Sequence, residues 1–134
     1  MTFAPAISAW PDAGVYQLWI RLNRPVALRV GSLGRLRFEA GLYTYTGRAS
    51  RGLRARVRRH VRGARCRHWH IDYLLASRAA RVVRVILASG HAEDECRVNC
   101  AIGAECCVAV LRFGASDCRN GCPGHLWRAN RPRR

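Results

Sequence analysis

The chain has 134 residues, enough for one domain that buries roughly two-thirds of the surface its unfolded chain exposes. It carries 24 basic and 8 acidic residues, for a formal charge of +16, and every basic residue is an arginine. No apolar run approaches the roughly 18 residues that cross a bilayer, and residues 1–10 lack the pattern of a secretory signal. We therefore expect a cytoplasmic protein with a single core and no membrane partner.

The arginines predict a polyanionic partner, because many of them are crowded into residues 48–67. Such clustering is the electrostatic signature of phosphate-backbone binding, so a nucleic acid is expected. A merely solvated basic surface would account for the charge but not for its clustering, and an acidic membrane surface is a weaker alternative. The crowded residues are Arg48, Arg51, Arg54, Arg56, Arg58, Arg59, Arg62, Arg65 and Arg67.

The first half of the chain predicts several strands. Residues 1–13 are expected to be a flexible segment, residues 14–127 the folded domain and residues 128–134 a basic tail. Residues 14–22 alternate as a strand, with Tyr16 and Leu18 on one face. Residues 26–30 and 35–38 predict a hairpin around the turn 31–34, and residues 41–46 predict another strand that stops at Gly47.

An amphipathic helix is predicted from about residue 51 to residue 64, where the apolar period lengthens to that of a helix. Its apolar stripe consists of Leu53, Val57, Val61 and Ala64. Arg56 and His60 lie at the margin of that stripe, where they can look across the sheet. The arginines on the far side, which can meet phosphates, are Arg51, Arg54, Arg58, Arg62 and Arg65.

The second half predicts a short helix over 68–77, a buried strand over 82–88, a helix over about 93–106 and a last strand over 108–113. His68, His70 and Asp72 are interpreted as structural, because their spacing does not put all three on one helix face, and Asp72 is expected to orient an arginine. The elements together predict an α/β sandwich, in which helices flank a small, mostly antiparallel sheet.

A family resemblance rests on several motifs in one order. Gly14-Val15-Tyr16 lies on the first strand, Tyr45-Thr46-Gly47 ends a later one, and Arg56 and His60 follow on the helix. This order resembles the GIY-YIG endonuclease superfamily, which is named after the two tripeptides. Within it, the phrases YTGRAxxGLxxRxxRH, HWHIDYLL, and FGASDC followed by CxxHL resemble the small DUF123 family, sometimes fused to DNA-repair glycosylases.

The resemblance implies a catalytic site for phosphodiester hydrolysis. Tyr16 would be the general base and Tyr45 would position the attacking water, while Arg56 would stabilise the phosphate. His60, one helical turn after Arg56, can hydrogen-bond a tyrosine hydroxyl or the phosphate. Without the helix pair, the two tyrosines would more simply be core residues of a sheet.

The resemblance also implies a divalent metal held by one carboxylate at the start of a helix. Glu93, Asp94 and Glu95 are the candidates, and Glu95 is chosen because it abuts Cys96 as in the resembling family. One carboxylate with bound water suits Mg²⁺ or Mn²⁺. A simple helix-capping role for the carboxylate is the alternative.

The cysteines allow two interpretations. Cys96, Cys118, Cys122 and His125 form a possible structural zinc site of unorthodox spacing. The interpretation slightly favoured by the sequence is that the cysteines of residues 96–107 are small buried apolar residues, while Cys118 and Cys122 are exposed thiols or a disulfide.

The sequence thus predicts a metal-dependent endonuclease acting on DNA, with branched or damaged DNA among its candidate substrates and RNA the less favoured substrate. The main alternative is a non-catalytic nucleic-acid-binding module that retains the same fold. A weaker third is a zinc-stabilised interaction protein in which the cysteines matter more than the tyrosines.

Overall fold

The computed structural model describes residues 7–63, 67–104, 107–115, 118 and 120–129. The elements whose bounds lie within them are seven strands and three α-helices, with 3-10 turns at Gly31–Leu33 and Ala92–Asp94. The strands are β1 (Gly14–Leu22), β2 (Val26–Arg29), β3 (Arg35–Phe38), β4 (Gly41–Ala49), β5 (Ala80–Ser89), β6 (Cys107–Ala109) and β7 (Leu126–Ala129). The helices are α1 (Leu53–Arg62), α2 (His70–Leu75) and α3 (Glu95–Gly103).

A five-stranded antiparallel sheet is the centre of the fold. Its strand order is β5-β1-β4-β7-β6, while β2 and β3 form a separate antiparallel hairpin. β1 and β4 are therefore central neighbours, and their register sets Tyr16 opposite Gly47 and Leu18 opposite Tyr45. The predicted α/β sandwich with a mostly antiparallel sheet and flanking helices is confirmed.

β4 does not stop at Gly47, as the sequence predicted, but continues to Ala49. Gly47 has no positive φ, so it is not a turn residue. A Cβ at Gly47 would lie 2.5 Å from the Tyr16 hydroxyl, so glycine is required there because the Tyr16 ring crosses the backbone of β4.

The N-terminal segment contributes to the core and to the start of α1. Ile7 and Trp10 are buried among the core residues, although the sequence predicted flexibility for the whole of 1–13. Asp12 accepts hydrogen bonds from the amides of Gly52, at 3.0 Å to its side chain, and Leu53, at 3.0 Å to its carbonyl. These contacts begin α1 at Leu53, two residues later than predicted, since they satisfy amides that a helix start leaves free.

The second half differs from the prediction at both sheet edges. β5 is longer than predicted and only half-buried, because it is an edge strand paired with β1 alone. The predicted last strand shrinks to β6, while residues 111–114 turn. β7, which the sequence did not predict, pairs with both β4 and β6. No helix in the described part of the chain is long and apolar enough to cross a membrane.

Candidate active site and metal cluster

A cleft of about 360 Å³ is lined by side chains from several strands and helices. β1 and β4 supply Tyr16 and Tyr45, α1 supplies Arg56, and α3 supplies Glu95. Four of the five residues predicted to be catalytic therefore line one cavity. The fifth, His60, lies directly beneath it, as its hydrogen bond to Tyr16 shows.

Tyr16 and His60 form a buried pair. The Tyr16 hydroxyl lies 3.0 Å from His60 Nε2, and the two residues are 2% and 1% exposed. Burial raises the pKa of Tyr16 well above its ordinary value, and burial lowers the pKa of His60 to about 4. Both groups are therefore neutral near pH 7, because leaving water penalises the charged form of each.

Tyr45 lies beside this pair on the neighbouring strand. Its ring centroid is 6.3 Å from that of Tyr16 and 6.5 Å from that of His60. Burial raises the pKa of its hydroxyl as well. Tyr43, two residues earlier on β4, does not line the cleft, and its hydroxyl donates to the Glu39 carbonyl at 2.7 Å.

The Arg56 guanidinium is held at the cleft by two contacts. One nitrogen donates to the Arg48 carbonyl at 2.6 Å, and the guanidinium carbon lies 4.4 Å from the centre of a Trp69 ring. A cation over an indole face is attracted by the ring quadrupole. Arg56 thus presents a positive charge in a fixed position.

Asp72 orients an arginine, as predicted. Both of its oxygens accept from Arg59 at 3.0 Å, and one also accepts from the amides of His68 and Trp69 at 2.8 Å. Although burial opposes it, the Arg59 hydrogen bond and these amide bonds hold the pKa of Asp72 below its ordinary value. The ion pair joins α1 to the start of α2.

Glu95 is the first residue of α3, as expected. Its Oε1 lies 3.5 Å from the Arg48 Nε, and its Oε2 lies 3.3 Å from the His125 Nδ1. The other two candidate carboxylates differ: Glu93 is exposed, and Asp94 accepts from the Ser89 hydroxyl at 2.6 Å. Glu95 is thus the only one of the three that lines the cleft.

Four residues next to the cleft could hold a metal ion. The ligand atoms of Cys96, Cys118, Cys122 and His125 all lie within 4.8 Å of one another, and the three thiols are free and partly buried. The Cys96 and Cys118 sulfurs are 3.6 Å apart. The sequence favoured the interpretation that Cys100 is a small buried apolar residue. That interpretation is wrong, because Cys100 is exposed. Cys106 and the side chain of Cys107 lie outside the described residues.

Packing between α3 and β7 brings the cluster together. The buried Asn99 donates to the Gly124 carbonyl at 2.8 Å and accepts from the Trp127 indole at 2.8 Å. A Cβ at Gly103 would collide with the Trp127 ring, so the helix and strand are in close contact. Cys96, one turn before Asn99, consequently faces the loop that carries the other ligands.

The sequence missed His68 and His70, which also line the cleft. The Gly114 amide donates to His70 Nδ1 at 2.8 Å, which leaves the ring proton on Nε2. A helix over 68–77 was predicted, whereas α2 begins only at His70 and Trp69 is extended, so the helical spacing of His68 and His70 does not apply. The motif HWHIDYLL, which resembles the DUF123 family, contains both histidines and was the available signal for them.

The arginines predicted to bind phosphate divide into two groups. Arg51 and Arg62 are exposed, and Arg48 is 51% exposed at the edge of the cleft. Arg54 donates to the Trp10 carbonyl at 2.5 Å, and Arg58 donates to the Ser8 hydroxyl at 3.0 Å. Arg54 and Arg58 therefore form hydrogen bonds with the N-terminal segment. Arg65 lies outside the described residues.

The fold and cleft define an α+β domain with a buried tyrosine–histidine pair, a fixed arginine and a possible metal cluster. Residues 15–134 match DUF123, described as a domain of unknown function, and the chain belongs to that family. No curated protein and no solved structure matches the chain significantly.

Proposed function

We propose that the protein is a divalent-metal-dependent endonuclease that hydrolyses phosphodiester bonds in DNA, as a relative of the GIY-YIG superfamily. The observation that carries the proposal is the Tyr16–His60 hydrogen bond of 3.0 Å beside a cleft that also contains Arg56 and Glu95. Hydrolysis of a phosphodiester needs a proton acceptor for water, positive charge near the phosphorus and help for the leaving oxygen. The cleft contains groups suited to each need.

Tyr16 and His60 act together as the general base. Because Tyr16 is a neutral phenol, its oxygen takes a proton from water only as its own proton passes to His60 Nε2. The resulting hydroxide attacks phosphorus, and the bond to the leaving oxygen breaks. The anionic phosphate favours this transfer, since a nearby negative charge stabilises the imidazolium. Tyr45 orients the water.

Arg56 stabilises the negative charge that grows on the phosphoryl oxygens. Its guanidinium is already held by the Arg48 carbonyl and the Trp69 ring, so little reorganisation accompanies substrate binding. His70 is suited to donate a hydrogen bond to the leaving oxygen, because its remaining ring nitrogen carries the proton, and the departing oxygen takes its own proton from solvent water.

Glu95 is the residue that would hold Mg²⁺ or Mn²⁺. It fits a hard ion because it offers carboxylate oxygens at a cleft roomy enough for water, and its side chain is 19% exposed. When bound, such an ion polarises the phosphoryl oxygen and lowers the pKa of water.

The second cofactor is zinc at Cys96, Cys118, Cys122 and His125. Three thiols and an imidazole are soft donors that suit Zn²⁺ rather than Mg²⁺. Sulfurs bound to one tetrahedral zinc lie about 3.8 Å apart, since each Zn–S bond is about 2.3 Å. The spacing of 3.6 Å between two of the sulfurs is already close to that value. We expect the thiols to stay reduced in the cytoplasm.

The decisive experiment measures cleavage of plasmid and branched DNA with and without Mg²⁺ or Mn²⁺. Tyr16→Phe should lower the cleavage rate about 100-fold or more with little change in binding. Tyr43→Phe is the matched control, because it removes a tyrosine hydroxyl on β4 that lies outside the cleft lining, and it should retain wild-type activity. Tight binding of every substrate with no metal-dependent cleavage would favour a non-catalytic nucleic-acid-binding module instead.

A further inference from the structure

His125 lies between the candidate catalytic carboxylate and the thiol cluster. Its side chain is 1% exposed, and its Nδ1 lies 3.3 Å from Glu95 Oε2 and 3.3 Å from the Thr46 carbonyl. Carboxylate and carbonyl oxygens are both acceptors, so Nδ1 carries the ring proton. Nε2 is consequently the nitrogen that offers a lone pair.

Nε2 is buried and makes no well-aligned hydrogen bond among the described residues, although the Cys118 thiol interacts with the ring. A buried polar atom without a partner costs about 1–3 kcal/mol. A metal ion held by the three thiols would satisfy it, because His125 belongs to the same four-residue group. The unpaired nitrogen and the converging thiols are two independent indications of one ligand.

The backbone of His125 fixes the ring beside the catalytic strand. Its amide donates to the Phe113 carbonyl at 2.7 Å, and its carbonyl accepts from the Thr46 amide at 3.0 Å. Thr46 lies between Tyr45 and Gly47 on β4. The backbone of His125 is therefore tied directly to the strand that carries Tyr45.

We propose that His125 couples the thiol-bound metal to Glu95, with Nε2 on the metal and the Nδ1 proton donated to the carboxylate. His125 is then a positioning residue: metal binding orients its ring, and the ring orients the Glu95 carboxylate in the cleft. The inference rests on the proposed function for the role of Glu95 and on the proposed zinc site. The coupling itself is observed as a change in metal affinity at the thiols and does not require DNA cleavage.

The coupling is reciprocal, because two linked binding sites influence each other by the same free energy. A carboxylate that accepts from a metal-bound histidine raises the affinity of the metal site, and its removal typically lowers that affinity 10–100-fold. Glu95 should thus affect metal binding at the thiols, although it is not one of the four ligands. This effect can be measured without any nuclease assay.

The test is a Co²⁺ and Zn²⁺ titration of the full-length reduced protein, followed by the thiolate-to-cobalt absorption band and by competition for the cobalt. Wild type should bind one ion, and Cys118→Ser should bind it far more weakly, whereas the exposed Cys100→Ser should match wild type. Glu95→Gln should weaken cobalt and zinc binding by about 10–100-fold. Glu93→Gln, an exposed carboxylate two residues away, should not.

Far-UV circular dichroism of each variant identifies loss of fold, and Cd²⁺ NMR of wild type reports whether a nitrogen joins three sulfurs. A sulfur-only signal, or wild-type affinity in Glu95→Gln, would overturn the coupling. Absence of metal binding by wild type would overturn it too. A protein that shows the coupling but cleaves no DNA would refute the proposed nuclease alone.

Discussion

The Tyr16 hydroxyl lies 3.0 Å from His60 Nε2 within the core, although the two residues are 44 positions apart in the chain. The contact joins the central strand of the sheet to the arginine-rich helix. Because burial lowers the pKa of His60 to about 4, the imidazole is neutral at physiological pH. The pair therefore has consequences for stability that can be measured without any substrate.

The stability of the protein should fall in acid because of His60. The unfolded histidine binds a proton below pH 6.5, whereas the folded one resists protonation until about pH 4. The contribution is complete above pH 6.5 and is lost as the pH falls towards 4, by about 3 kcal/mol in total. Urea unfolding across this range should show a smaller advantage of wild type over His60→Gln at pH 4 than at pH 7.

The control for this measurement is His68→Gln, because His68 is exposed and its removal leaves His60 in place. This variant should follow the wild-type dependence on pH. If His60→Gln and wild type lose stability in parallel, another group is responsible for the acid sensitivity.

Gly47→Ala should destabilise the protein and displace the Tyr16 or the Tyr45 ring. The new Cβ would lie 2.5 Å from the Tyr16 hydroxyl and 2.9 Å from the Tyr45 ring, so at least one ring must move. Overpacking of a well-filled core typically costs about 1–3 kcal/mol. Gly90→Ala is the matched control, since nothing lies within 4 Å of its Cβ. Equal unfolding midpoints for the two variants would contradict the close approach.

Asp72→Asn should cost about 3 kcal/mol of unfolding free energy, because it leaves Arg59 without its buried carboxylate partner. The comparison is Glu39→Gln, which breaks the exposed Arg37–Glu39 pair at 3.0 Å. Exposed pairs are worth about 1 kcal/mol or less, so this variant should stay close to wild type. Denaturant unfolding of both proteins measures the difference, and equal losses would rule out a special role for the Asp72 pair.

The salt dependence of DNA binding should identify the arginines that touch phosphate. Arg51→Ala with Arg62→Ala should reduce the slope of log affinity against log salt by about 1.8, because each neutralised phosphate contributes about 0.9. Arg54→Ala with Arg58→Ala should change the slope little, because those side chains bind the Trp10 carbonyl and the Ser8 hydroxyl. Fluorescence anisotropy at several salt concentrations measures the slope for both double variants. A larger change in slope for Arg54→Ala with Arg58→Ala would mean that those two arginines, and not Arg51 and Arg62, contact the phosphates.

Local patterns in the sequence were sufficient for much of the fold. The alternation of residues 14–22 predicted β1, and the helical period after residue 51 predicted α1 with Arg56 and His60 on the side that faces the sheet. Such patterns carry information because each element buries one face against its neighbours. Glu95 was chosen because it abuts Cys96 as in the resembling family, and it is the first residue of α3, two residues after the predicted start of that helix.

Only the tertiary structure decided how residues distant in the chain meet. No local signal relates Asp12 to the start of α1, or Gly47 to the Tyr16 ring, because both relationships depend on strand register and packing. β7 was missed because four residues show too little periodicity, although their pairing with β4 brings His125 to Glu95. The sequence predicted which four residues form the possible metal cluster. Their ligand atoms lie close together beside the cleft because α3 packs against β7.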